Sequence, residues 1–295
     1  MPLSKKIAIF EALSLAFIWA CLTAAGRLSL KVYSPELILF LRFGMTLLIL
    51  IPVLSIYFLS NQKEHLKLFL WAAPAGIFLS LTIILQTWGL KYTNISKAGF
   101  ILSLYVVFVP LLEWLLLRNI FQRKIIILLS VMIIGMLLIS HPNFHNWQVG
   151  DLLMLLGALF GALQVISIGY FAKKITSAVF FCLYQMLWSA LLPVCLLFFK
   201  HESFVPFFKN FQGEGLLANL AILFLVVGSF ITFFLQIKSQ KILSSTEASF
   251  LFLQEAPFSA ILGSLLFQES LLSTEWLGGV LIFSTSILAI FQFKK

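Results

Sequence analysis

Arg42 and Glu255 are the residues of this sequence that hydrocarbon tolerates least. Arg42 stands inside the apolar run 36–59, and Glu255 inside the run 247–267. An arginine at the centre of a membrane helix costs about 2.5–3.5 kcal/mol on insertion scales, so it must pair, reach the headgroups or serve a function. Arg42 therefore reads either as an anchor for a substrate carboxylate or as a structural cation that snorkels or caps a helix end. Glu255 lies about 12 Å along its helix at about 1.5 Å per residue, where burial disfavours the charged form. It reads as a proton-coupling group, as a ligand for a substrate amine, or as an internal hydrogen-bonding group that holds a helix bent by Pro257. Arg27 and Arg42 are expected nearer the opposite end of the bundle, which favours a protonated acid over a standing salt bridge.

The neutral polar residues come in matched sets. Thr82 and Gln86 are four positions apart and share one helix face, and Thr232 and Gln236 repeat the arrangement. Polar pairs facing lipid are costly, so both faces are expected to look inward. They read as lining groups, Gln86 at one mouth and Gln236 at the other, or as interhelical hydrogen bonds worth about 0.6 kcal/mol each. Trp19, Tyr105 and Gln164 complete the candidate substrate pathway. Trp88, Tyr184 and Gln185 are further candidates, although Trp88 suits an interfacial aromatic belt better. Glu113 lies near a helix end and reads as structural.

Pro52, Pro110, Pro193 and Pro257 each remove a backbone donor and bend a helix, either statically or as points about which each half rocks. Gly157 with Gly161 and Ser259 with Gly263 form small-xxx-small faces that close helix packing explains. The sequence has no nucleophile elbow, phosphate-binding glycine loop or zinc motif, so neither an enzyme nor a cofactor is expected. Cys21, Cys182 and Cys195 fall in apolar runs without ligand spacing. His65, His141, His145 and His201 are expected in loops, too scattered for a metal site.

These side chains must be positioned by membrane helices. The chain is 61% hydrophobic and 11% charged, whereas a soluble domain carries about 25% charged residues. Ten apolar runs are expected as spans: 7–26, 36–59, 66–90, 96–119, 125–140, 150–171, 178–199, 215–237, 247–267 and 276–293. The basic start followed by an apolar run also has the outline of a signal peptide. The length of that run and its counterpart at 157–171 argue for a retained first span. The formal charge of +9 fits basic loops rather than a nucleic-acid surface.

The chain repeats itself at an offset of 150 residues. Ala98, Phe100, Phe108 and Leu112 meet Ala248, Phe250, Phe258 and Leu262, and Thr82, Gln86 and Lys91 meet Thr232, Gln236 and Lys241. Tyr105 takes the position of Glu255. Five spans per repeat is odd, so the repeats are inverted in topology, an arrangement that places substrate near the bilayer midplane between the halves. Thirteen of the 20 Lys and Arg, among them Lys5, Lys6, Lys294 and Lys295, fall at the termini and in the even-numbered connections. Six, among them Lys91, Lys97, Lys200 and Lys209, fall in the others. That excess puts both termini in the cytoplasm.

With these residues in place, a family resemblance appears. SPELILFLRF (34–43), TWGLKYTNISKAGF (87–100), YVVFVPLL (105–112) and the spacing of Trp19 to Arg27 resemble the first half of an EamA-type member of the drug/metabolite transporter superfamily. GDLLMLLGALFGAL (150–163) and QEAPFSAILGSLLFQE (254–269) resemble the second half. The resemblance covers nearly the whole chain. It implies ten helices in two inverted five-helix repeats, a glutamate at the position of Glu255, a bacterial inner-membrane location and outward movement of small metabolites. The chain departs from the pattern at Ala20, where glycine is frequent, at Arg27, where lysine is frequent, and at Gly161, where an aromatic is frequent.

The expected protein is thus an all-α membrane protein of ten transmembrane helices, with repeats at 1–141 and 142–295. It is expected to be a secondary transporter, an exporter of small polar metabolites such as amino acids, working by alternating access. A lipid-intermediate flippase of the same fold is the alternative, kept open by Arg27, Lys31 and Arg42. The expected partners are a small-molecule substrate, the lipid bilayer and protons as a candidate coupling ion, with no nucleic acid, in a monomer or homodimer.

Overall fold

In hydrocarbon a backbone must satisfy its own hydrogen bonds, and long apolar runs therefore become helices. In this structure, a computed structural model, residues 2–58, 62–89, 92–93, 95–118, 123–142, 147–199, 205–209, 211–268 and 272–292 are described. Lys91, His145, Lys200, His201, Lys294 and Lys295, used above, lie outside them.

The helices are α1 (Leu3–Ser29), α2 (Pro35–Phe58), α3 (Gln62–Gly89), α4 (Ile95–Ser103), α5 (Tyr105–Leu117), α6 (Arg123–Ser140), α7 (Val149–Ala172), α8 (Ala178–Phe199), α9 (Val205–Lys209), α10 (Gly213–Gln240), α11 (Ser245–Phe252), α12 (Glu255–Phe267) and α13 (Ser273–Gln292). Nine segments of the described residues are long and apolar enough to cross a membrane, α4 with α5 and α11 with α12 each acting as one. Helix α2, 24 residues long, supplies the tenth through its run FGMTLLILIPVL. The protein is a multi-pass membrane protein of two five-helix repeats.

The repeats interlock. Helix α1 packs against α10, and its repeat counterpart α7 packs against α3. Helix α2 meets its counterpart α8, and α6 meets its counterpart α13. The last contact is close: a Cβ built on Gly278 would lie 2.5 Å from the Gly135 carbonyl oxygen. The core therefore runs between the repeats, with Phe43, Phe181 and Cys182 in one apolar cluster and Met132, Met136, Met154 and Phe250 in another.

The fourth and ninth spans break at equivalent places. Leu104 separates α4 from α5, and Leu253–Gln254 separate α11 from α12. At each break the chain makes a tighter i→i−3 bond, Leu104 N–H to Ile101 O at 3.2 Å and Gln254 N–H to Leu251 O at 3.1 Å. Pro257, lacking an N–H, cannot donate to the Leu253 carbonyl, which accounts for the second break. Pro110 lies well past the first break, inside α5, and Pro52 and Pro193 sit inside continuous helices.

We call the side carrying the start of α1 the near face and the opposite side the far face. Near-face ends are tied by ion pairs from Lys5 to Glu247 and from Lys238 to Glu11, both 2.5 Å. Thr246 donates to Glu113 there at 2.5 Å, so Glu113 joins the fourth span to the ninth. At the far face Lys97 and Asp151 pair at 2.5 Å, and Tyr33 donates to Asn219 at 2.6 Å.

Two sequence expectations are corrected here. His65 is not in a loop: α3 begins at Gln62, and His65 is buried on it, 3.0 Å from the Tyr184 hydroxyl. Lys97, counted with the loop cations, is buried on α4. Both polar residues fit inside helix ends because each has a partner across a helix interface, which a hydropathy pattern does not register.

Candidate functional site

A cavity of about 250 Å³ lies between the repeats. Its far-face rim comes from Gly26, Arg27 and Leu30 at the end of α1, Pro35 at the start of α2 and Thr87 near the end of α3. Its floor holds Trp19, Tyr105, Gln164, Phe233 and Glu255. Helix counts alone explain why so many elements contribute. Inverted repeats bring the mid-helix residues of α1, α3, α7 and α10 to one axis, and the two broken spans end or restart there.

Seven of the nine pathway candidates line this cavity: Trp19, Arg42, Thr82, Gln86, Tyr105, Gln164 and Glu255. Arg42, Arg27 and Glu255, expected toward opposite ends of the bundle, contribute to one chamber. Glu255 is the first residue of α12 and accepts from the Thr23 hydroxyl at 3.1 Å. Arg42 donates through Nε to Ser229 Oγ at 2.7 Å, and its guanidinium carbon lies 5.6 Å from the Phe43 ring centroid. Trp19 stands edge-on to Phe252 and Phe233, with centroids 5.4 and 6.3 Å away. The Tyr105 hydroxyl is buried with no hydrogen-bond partner among the described residues. A guanidinium, a carboxyl group and a phenol thus meet in a chamber whose other polar lining is Arg27, hydroxyls such as Thr82, and the amides of Gln86 and Gln164.

The remaining two candidates lie behind the floor. Thr232 is buried and donates to the Gly228 carbonyl at 2.9 Å. Gln236 is buried too and exchanges hydrogen bonds with Gln164, at 3.1 and 3.2 Å. Their repeat counterparts behave differently: Thr82 and Gln86 line the open chamber. Past the amide pair, the near-face side is closed by Gln240 donating to the Val165 carbonyl at 2.9 Å and by the Lys5–Glu247 and Lys238–Glu11 ion pairs. One sequence motif thus appears in two environments, exposed in the first repeat and sealed in the second.

Trp88, Tyr184 and Gln185 do not line the cavity. Trp88 donates to Glu36 at 3.2 Å, Tyr184 bonds His65, and both side-chain amide atoms of Gln185 are buried without a partner among the described residues. A Cβ added at Gly157 or Gly161 would meet Thr82 at ordinary van der Waals distance, 3.5 Å in each case. Thr23 and Ser229, the partners of Glu255 and Arg42, were not singled out from sequence. Thr23 had a signal, since it stands one helical turn after Trp19 on the same face. Ser229 had none beyond its place one turn before Thr232. Among the described residues no group of three His, Cys, Asp or Glu side chains is placed to hold a metal ion.

Comparison with known proteins decides the lineage. The profile of the EamA-like transporter family matches residues 6–141 and again 148–291. The chain belongs to the EamA-like transporter family. The two matches fall one on each repeat, so this EamA-like transporter carries the family pattern twice. It is 28% identical over 158 residues to an uncharacterized transporter of Archaeoglobus fulgidus, a match covering 54% of this chain and 47% of that protein. The match thus spans about half the length of that relative. A solved crystal structure, described only as that of a protein, superposes with a TM-score of 0.74 at 15% identity over 100% of both chains. That likeness establishes a shared fold. Family membership sets these residues in a membrane-embedded protein of the EamA-like transporter family.

Proposed function

We propose that this protein is a secondary transporter that exports small polar metabolites, with zwitterionic amino acids the leading class, by alternating access. The observation that carries the proposal is the unequal exposure of repeat-equivalent residues around one cavity. Thr82 and Gln86 line an open chamber, while Thr232 and Gln236 sit sealed behind its floor. If the two repeats exchange conformations, the second pair becomes the open lining and the first pair is sealed. The chamber then faces the near side, with Trp19, Tyr105 and Glu255 accessible in both states.

The chemistry of the chamber suits a zwitterion. Arg42 offers a planar donor fork to a carboxylate, and guanidinium recognises that group in two-point fashion. Glu255 offers an acceptor to an ammonium group at the start of α12, and the Tyr105 hydroxyl offers a further donor or acceptor. The cavity lies near the lower end of ordinary ligand clefts, about 300–1,000 Å³, which favours one small solute over a lipid headgroup with its chains. Glu255 also suits a proton-coupled cycle, because a carboxyl group that loses water on closure and regains it on opening exchanges its proton in the same step. In this reading each repeat, 1–141 and 142–295, acts as one half of the machine. Both termini lie in the cytoplasm, so the near face is cytoplasmic and the membrane is the bacterial inner membrane.

Counterflow in proteoliposomes tests it. Vesicles loaded with a mixture of amino acids should accumulate the labelled substrate, and Arg42→Gln should lower that exchange at least tenfold while the protein remains folded. Unchanged counterflow in Arg42→Gln would remove the carboxylate anchor and with it the zwitterion reading.

A further inference from the structure

Two groups stand out among the lysines of the near face. Lys5 and Lys238 are each held by a carboxylate, Glu247 and Glu11. At another corner, where α3 begins and α7 and α10 end, stand Lys63, Lys67, Lys173, Lys174 and Lys241. Among the described residues none of these five lies within ion-pair distance of a carboxylate. Lys63, Lys67, Lys173 and Lys174 are exposed. They belong together in space. Thr176 donates to Glu64, joining the α7–α8 turn to the start of α3, and Lys241 reaches the Ile175 carbonyl at 3.5 Å. Glu64 is the one carboxylate at this corner among the described residues, and it is engaged by that threonine.

The lysines are combined with a strip of aromatic rings. Trp71 stacks on Phe171 with centroids 5.4 Å apart, and Phe171 meets Tyr170 edge-on at 5.0 Å. The ammonium of Lys67 lies 4.3 Å from the Trp71 ring centroid, and that of Lys174 lies 3.5 Å from the Tyr170 centroid. The two cations thus bracket the ends of a three-ring strip. Beside it and running deeper, Leu66, Leu70 and Ile77 form an exposed apolar stripe along α3.

We propose that this corner binds the headgroup of an anionic phospholipid. The phosphate sits between Lys67 and Lys174, the rings lie at headgroup depth, and one acyl chain follows the α3 stripe. Water alone would satisfy exposed lysines, but it gives no reason for three contiguous rings to be flanked by them at the end of membrane helices. An amphiphile with a negative head answers both features, since aromatic side chains settle at the interface and basic side chains attract anionic lipid. The proposal concerns a surface outside the central cavity and does not rest on the transport reading.

The test is lipid retention. Full-length protein in nanodiscs made from equal amounts of phosphatidylglycerol and phosphatidylcholine is transferred to detergent, and the co-purifying lipids are quantified by mass spectrometry. Wild type is expected to retain phosphatidylglycerol in preference. Lys67→Gln/Lys174→Gln is expected to bind it about thirtyfold more weakly, from about fivefold per lysine. Arg123→Gln/Lys124→Gln, at exposed cations elsewhere on the same face, is expected to retain it unchanged. Equal retention of the two lipids by wild type would overturn the proposal, and so would equal loss in the two variants. In a thermal-shift arm, phosphatidylglycerol should stabilise the wild-type protein and inorganic phosphate at the same concentration should not. Equal stabilisation by both would assign a bare anion site instead. Monodisperse elution of each variant confirms that lipid loss is not unfolding.

Discussion

Replacing Asp151 by asparagine isolates the cost of a single unpaired charge in this bundle. Asp151 Oδ2 is 2.5 Å from Lys97 Nζ, and the two side chains are 0% and 2% exposed. Asp151 also accepts from the Thr93 hydroxyl at 2.5 Å and, closing the capping box at the start of α7, from the Gln148 N–H at 2.8 Å. Asparagine keeps one acceptor oxygen for the Gln148 N–H, its amide nitrogen faces the Thr93 hydroxyl, which can turn to accept, and the charge is lost. Breaking a buried pair by neutralising one partner costs about 3–5 kcal/mol, because the other charge remains buried and uncompensated. Lys97→Met/Asp151→Asn removes the stranded cation as well. It forfeits the contact of Lys97 with the Trp147 ring, 4.9 Å away, worth about 0.5–2 kcal/mol, so the double variant should lie within about 2 kcal/mol of wild type. The assay is reversible unfolding in mixed micelles with increasing denaturing detergent, following tryptophan fluorescence. The reasoning fails if Asp151→Asn loses less than about 1 kcal/mol, or if the double variant is less stable than Asp151→Asn.

Further expectations follow from the cavity and the helix contacts. Glu255→Gln keeps shape and removes the charge change, so transport in proteoliposomes should lose its dependence on a pH gradient while substrate exchange survives; unchanged rate and pH dependence would make the residue structural. Cysteines at Gln86 and Gln236 should be labelled by aqueous thiol reagents from opposite sides of the membrane, Gln86→Cys the faster in the state seen here, and substrate should protect at least one; failure of both to react would leave them as packing residues. Gly76→Ala puts a Cβ 2.4 Å from the Trp188 Cβ and 2.6 Å from the Gln185 carbonyl oxygen, so it should cost about 1–3 kcal/mol in the same unfolding assay, and a neutral result would mean that α3 and α8 separate freely. Reporter fusions at Lys295 and Lys209 should report cytoplasm and exterior respectively, and labelling of Lys295 from outside would refute the proposed orientation.

Sequence alone determined the class, the ten spans and the inverted repeat. Hydrocarbon forces any long apolar run to be a helix, so composition and run length suffice for those. The repeat also carried part of the site. The identities shared by Thr82 and Thr232, and by Gln86 and Gln236, marked the faces that turn inward, and the equivalence of Tyr105 with Glu255 put the phenol among the lining candidates. What only the tertiary structure decided is which polar group meets which. Gln236 pairs with Gln164 rather than lining the chamber, Glu255 takes Thr23 and Arg42 takes Ser229, and Lys97 leaves the loops for Asp151. These helices are apolar nearly all round, so hydrophobic periodicity does not show which stripe faces a neighbour. The partners are far apart in sequence, and the same motif is exposed in one repeat and sealed in the other. That asymmetry belongs to a conformation of the whole bundle, and a repeat that is symmetric in sequence cannot encode which of its halves is open.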